Sequence, residues 1–162
     1  ATDQLRELGV DDAVLTRAGK FLDEPGISVV KDADIAMDVG GVHSMHDPTE
    51  GGLATGIAEV CNTSGLGVAI NRDAVRVYPE AAAICEALNL NVWGLIASGA
   101  LLIAAEPARS REIVSAVRAG GREAEIIGVM TPQSDGLNID ENGGLSPLPV
   151  FERDEIARYF GD

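Results

Sequence analysis

Apolar residues recur at helical spacing along the chain, and short apolar runs stand between the helical stretches. Val14, Leu15, Ala18, Phe21 and Leu22 fall on one face of a helix predicted over Asp11–Phe21, which Pro25-Gly26 ends. Leu53, Ile57 and Val60 line a helix predicted from Thr49 or Glu50 to Asn62, stopped by Thr63-Ser64-Gly65. Pro79–Leu88, with proline near its first turn, and Pro107–Ala119, closed by Gly120-Gly121, are further helices. Glu152–Phe160 predicts a short last helix. Strands are expected at Ile27–Lys31, Val42–His46, Leu66–Ile70, Ala100–Ala105 and Glu123–Met130. Asp32–Asp38 is ambiguous between helix and loop. Gln133–Gly136 and Asp140–Gly144 read as hairpin-type turns.

Strands joined by turns as well as by helices give an α+β class, with a mixed, largely antiparallel sheet packed with helices. Residues 42–162 are expected to form the main domain. Residues 1–41 would be an N-terminal extension, a helix and linker packing on it.

Length and composition fit this picture. A chain of 162 residues suits one domain with a proper hydrophobic core. Aromatics make up only 4% of it, so that core must rest on Ala, Val, Ile and Leu. The formal charge of −14 argues against duplex nucleic acid or an anionic membrane as partner. It leaves room for a nucleotide held locally by backbone N–H groups. Cys61 and Cys85 both lie in apolar helical patterns and are expected as buried free thiols, which fits a reducing cytoplasm. No apolar run reaches membrane-spanning length, and no signal peptide is expected before the domain. The chain begins with Ala rather than Met, which predicts a longer natural polypeptide.

The most informative local feature is His46-Asp47-Pro48-Thr49-Glu50-Gly51-Gly52-Leu53-Ala54. Pro48 restricts Asp47 toward extended backbone and fixes its own φ for a turn. Thr49 is expected to cap the helix that follows, and Glu50 complements the helix dipole. Gly51 and Gly52 lack Cβ atoms, so a ligand or another backbone can approach closely. N–H groups at a helix start form an anion site. From spacing alone, a well-capped helix after a tight turn explains the same residues. His43 and His46 with Asp47 form a loose metal-like set, but only Asp38 is at hand as a further ligand, so two loop histidines are the better reading and no metal site is expected. His46 could still serve as a proton shuttle. Trp93 reads as a core or interface anchor.

The turn, its helix to Cys61 and the following Gly65-Leu66-Gly67-Val68 resemble the C-terminal domain of the aminoimidazole-ribonucleotide (AIR) synthase superfamily, within it the hydrogenase expression/formation (HypE) branch. That branch carries an Asp-Pro-Thr-x-Gly-Gly turn, matched by Asp47, Pro48, Thr49, Gly51 and Gly52. Tyr78-Pro79-Glu80, Cys85–Leu90, Leu101–Ala104 and Ile126–Val129 extend the resemblance, which covers roughly residues 42–150.

The resemblance implies ATP binding and ATP-dependent activation of an oxygen on a carbonyl-type group. It implies a two-domain parent whose N-terminal domain supplies Mg²⁺ and most nucleotide contacts and drives homodimerisation. The C-terminal domain would face phosphate with its glycine-rich loop. Asp47, Thr49, Gly51 and Gly52 would line that cleft with His46 beside them, facing ATP or a phosphorylated small molecule. Hydrogenase maturation is the implied process. No catalytic residue is assigned, and the chain alone is expected to be inactive. Two departures bear on this: Glu50 stands where the HypE turn carries arginine, which reverses the local charge, and Ala97-Ser98-Gly99 stands where the pattern reads Asn-Glu-Gly. They favour an alternative, a noncatalytic small-molecule-binding or assembly module that keeps the fold without the chemistry.

Overall fold

The computed structural model describes residues 2–141 and 143–161. The chain runs α1 (Thr2–Glu7), α2 (Asp12–Ala18), α3 (Val30–Val39), β1 (Val42–His46), α4 (Gly52–Ser64), β2 (Leu66–Asn71) and α5 (Pro79–Leu88). It continues through β3 (Leu102–Ala105), α6 (Pro107–Ala119), β4 (Gly128–Pro132), β5 (Leu137–Glu141), β6 (Gly144–Pro147) and α7 (Glu155–Phe160). Single 3₁₀ turns at Arg72–Ala74, Val92–Gly94 and Gln133–Asp135 join some of them.

The strands form two sheets. β1 pairs antiparallel with β3 in a two-stranded ribbon. The larger sheet has the order β4-β2-β5-β6, with β2 and β5 parallel and its other pairs antiparallel. The mixed, largely antiparallel α+β architecture read from the sequence is therefore what the chain adopts.

Two apolar clusters hold these layers. Ala54, Ile57 and Cys61 of α4 meet Val68 and Ile70 of β2 and Ile139 of β5, with Trp93 and Leu148 completing the cluster. Of the face that the helical periodicity marked, Ile57 is buried on the sheet and Leu53 packs against it, while Val60 is only half-buried and Ala54 and Cys61 complete the contact. A second cluster joins Ala36 of α3 to Ile113 and Val117 of α6, over Val42, Met45 and Ile103 of the β1–β3 ribbon. α1 and α2 pack against α5. Arg17 of α2 binds Glu80 of α5 at 2.5 Å.

Several local expectations are corrected. Ile27–Lys31 is not a strand: among the described residues no strand pairs with it, and Val30 opens α3, which the ambiguous Asp32–Asp38 segment continues. The Glu123–Met130 strand begins only at Gly128, where the missing side chain lets β4 close on β2; a Cβ there would stand 3.0 Å from Ile70 Cα. Gln133–Gly136 does not close a hairpin, because β4 and β5 do not pair with each other but lie on either side of β2. β5 and β6 do pair as a hairpin, with Glu141 opposite Gly144; Asn142 in its turn lies outside the described residues. No described helix is long and apolar enough to cross a membrane.

Candidate functional site at the start of α4

β1 delivers the chain to the turn, and α4 carries it away. Pro48 is fully buried between them. Gly56, one turn into α4, lets the helix press onto it: a Cβ at position 56 would stand 2.6 Å from Pro48 Cβ and 3.2 Å from His46 Cδ2. His46 Nε2 reaches Glu59 Oε2 on the same helix at 2.8 Å, a second tie between β1 and α4. Asp47, Thr49 and Glu50 are exposed, so the acidic edge of the turn faces solvent.

The glycine pair has left-handed backbone, φ 76° at Gly51 and φ 67° at Gly52, which side chains with a Cβ rarely adopt. The expected Thr49 cap is not made. Gly51 is the N-cap and has no side chain to offer, while the Thr49 carbonyl accepts the Gly52 N–H at 3.1 Å and the Ala97 N–H at 3.4 Å. The Gly51 N–H is instead taken by Asp154 Oδ2 at 2.9 Å, a residue 103 positions away. Asp154 Oδ1 accepts the Ile156 N–H at 2.8 Å, so one carboxylate caps α7 and binds the head of α4.

Space on the Cβ side of the pair is filled by the protein itself. A Cβ on Gly52 would lie 2.5 Å from the Leu95 carbonyl oxygen and 2.6 Å from that of Trp93, and one on Gly51 would collide with the Thr55 side chain. The close approach that the glycines permit is therefore between segments of this chain. Beyond the turn lies an open groove of about 350 Å³ lined by Glu50, Ile96, Glu152, Arg153, Asp154 and Ile156. Three carboxylates there face one guanidinium. No Lys or Arg occurs from residue 46 to 54, so any phosphate at the turn depends on backbone N–H groups and on Arg153 at the groove wall.

The remaining chemistry is quiet. His43 is exposed, and among the described residues no three His, Cys, Asp or Glu side chains gather to hold a metal ion. Cys61 and Cys85 are buried free thiols, and burial pushes both up from their ordinary pKa, so neither is primed as a nucleophile. Asp154, Glu155 and Phe151 meet the turn and its supporting loop without having been marked in the sequence. Only the local half of Asp154's role, an N-cap before Glu155-Ile156, is visible there.

Comparison with known proteins decides the family. Residues 4–140 match the family described as AIR synthase related protein, C-terminal domain. The chain belongs to that family. It is similar to carbamoyl dehydratase HypE of Cupriavidus necator, 37% identical over 92 residues, which take in 56% of this chain and 26% of that protein. It superposes on the crystal structure of Escherichia coli HypE, a hydrogenase maturation protein, with a TM-score of 0.72 at 24% identity, covering 81% of this chain and 42% of that one. HypE solved in complex with ATP superposes with a TM-score of 0.67 at 25% identity, covering 75% and 39%. This AIR synthase-related chain thus spans between 26% and 36% of the length of the curated relatives matched first.

Proposed function

We infer that the chain is the C-terminal half of an ATP-dependent, HypE-like protein of hydrogenase maturation. Its Asp47–Gly52 turn would form one wall of a nucleotide cleft. The observation that carries this reading is the likeness, over most of the chain, to HypE solved with ATP. The Asp-Pro-Thr-x-Gly-Gly turn at the head of a 13-residue helix, with Asp47 and Thr49 exposed, supports it. In this reading phosphate meets the Gly51-Gly52 turn at the Gly51 N–H, which Asp154 holds in this structure, while Asp47, Thr49 and His46 border the bound nucleotide or phosphorylated substrate. When bound, ATP would supply a phosphoryl group to a carbonyl-type oxygen, with release of ADP, so that this oxygen can depart as phosphate. Mg²⁺ and the opposite wall would come from an N-terminal ATP-binding domain, and homodimerisation from that domain too.

A second reading is a noncatalytic binding or assembly module. The acidic groove beside Glu50 favours it, since carboxylates repel phosphate.

Titration of Mg-ATP into labelled protein, alone and with an N-terminal half supplied from a relative, separates the two. Amide shifts confined to residues 46–56 support the cleft reading. Their absence under both conditions, even at millimolar nucleotide, overturns it in favour of the module.

A further inference from the structure

The segment from Leu148 to Phe160 is a strap that ends on the glycine turn. Leu148 is buried and its N–H binds the Leu137 carbonyl at 2.9 Å. Phe151 lies flat on Gly94, where any side chain would strike its ring. Asp154 then binds the Gly51 N–H, and Glu155, also buried, accepts the Asn91 N–H at 2.7 Å. The segment lies beyond the residues that match the family, 4–140.

We propose that this strap is autoinhibitory: the Asp154 carboxylate stands in for an anionic ligand at the head of α4, so strap and phosphate compete for the same turn. The proposal rests on the reading of that turn as phosphate-facing. A carboxylate and a phosphate present similar oxygen acceptors to a backbone N–H, and both are favoured by the helix dipole. Both cannot occupy the Gly51 N–H. A phosphate placed beside an ionised Asp154 would also meet like charge, with Glu50 and Glu152 adding to it. The strap need not leave as a whole. Its Phe151 and Glu155 anchors hold the Asn91–Gly94 segment and not the Gly51 N–H, so withdrawal of Asp154 alone frees the donor and uncaps α7.

Asp154→Asn tests this, because the amide keeps an acceptor for the Ile156 N–H while removing the charge. Mg-ATP and, separately, inorganic tripolyphosphate are titrated into the whole chain and followed at the Gly51, Gly52 and Ile156 amides. Wild type, Asp154→Asn, Asp154→Ser and Glu50→Gln are compared, and the serine variant keeps a capping oxygen should the asparagine variant fold poorly. The expected result is binding at least about tenfold tighter in the Asp154 variants than in wild type. In wild type, the Ile156 amide should move with Gly51 as ligand binds. Equal affinity in wild type and both Asp154 variants overturns the strap proposal and leaves the cleft reading intact. An equal gain from Glu50→Gln also overturns it, by assigning the effect to general acidity. A wild-type Gly51 shift with Ile156 unmoved overturns it too. No binding of either probe by any of the four proteins, alone or with the N-terminal half supplied, overturns the cleft reading itself, and the strap proposal with it.

Discussion

Gly52 Cα sits against the carbonyl of Trp93, so closely that a Cβ at position 52 would stand 2.6 Å from that oxygen. The second glycine of the turn is therefore part of the packing between α4 and the Val92–Gly94 turn. Replacing it acts on the fold before it acts on any ligand. Gly52→Val combines a left-handed φ of 67° with a backbone collision, and each contributes, for a total loss of about 2–5 kcal/mol. Urea unfolding followed by the fluorescence of Trp93, the only tryptophan in the sequence, measures it. A Gly52→Val protein of wild-type stability would show that the two segments are not packed as described.

Gly56 and Gly65 lie near opposite ends of α4 and should respond to alanine for different reasons. Gly56 has ordinary helical backbone, but its Cβ would press on buried Pro48 at 2.6 Å. Gly65 has φ 66° with nothing within 4 Å of its Cβ position. Gly65→Ala is expected to cost about 1 kcal/mol, the strain of left-handed backbone alone. Gly56→Ala is expected to cost about 1–3 kcal/mol, because the helix must shift away from β1. Thermal unfolding of the pair checks the order, and the shift should show in His46 ring resonances only for Gly56→Ala.

What the sequence disclosed and what it hid divide along sequence distance. The α4 helix was legible because Leu53, Ile57 and Val60 repeat at helical spacing, and Ile57 with Cys61 is indeed buried on the sheet. Ile27, Val29 and Val30 invited a strand by their β-branched character, yet they have no strand to pair with. The helical spacing of Ala33 and Ala36 wins, with Ala36 wholly buried against α6. Gln133–Gly136 has hairpin chemistry, but β2, more than sixty residues earlier, inserts between the strands that it joins. At the turn, the glycines marked a close approach, which another segment of this chain makes, but α4 starts at Gly52 rather than at Thr49 or Glu50, because Gly51 is left-handed. The cap did not follow from Thr49, because its partner is Asp154 and no local pattern connects the two.

Acid should loosen the chain through two carboxylates. A hydrogen bond from Arg17 holds Glu80 below its ordinary value of 4.5. Glu155 is lowered chiefly by Arg158, with the Asn91 N–H helping against the opposing effect of burial. Both groups ionise more readily folded than unfolded. Their contribution to stability is therefore present above about pH 4.5 and is lost as pH falls through the lower folded values. The melting temperature should hold steady near neutrality and fall below about pH 4.5. Glu155→Gln should be less stable at neutral pH and show a shallower acid decline. An unchanged acid slope would remove Glu155 from this account.

The two thiols report on separate parts of the strap's support. Both are buried, and burial raises both pKa values, so a thiol reagent should reach them only when the structure opens. Cys61 lies in the α4 cluster with Ile57 and Ile139. Cys85 lies in α5, where the Glu155 carboxylate also disfavours its thiolate. Removing the Glu155 anchor should therefore open the neighbourhood of Cys85 and leave the α4 cluster closed. Glu155→Gln is expected to speed native-state labelling of Cys85 by about tenfold or more, with a smaller change at Cys61. Mass spectrometry of quenched labelling reactions resolves the two sites. Equal acceleration at both would mean that the strap and the core open together, as one cooperative unit.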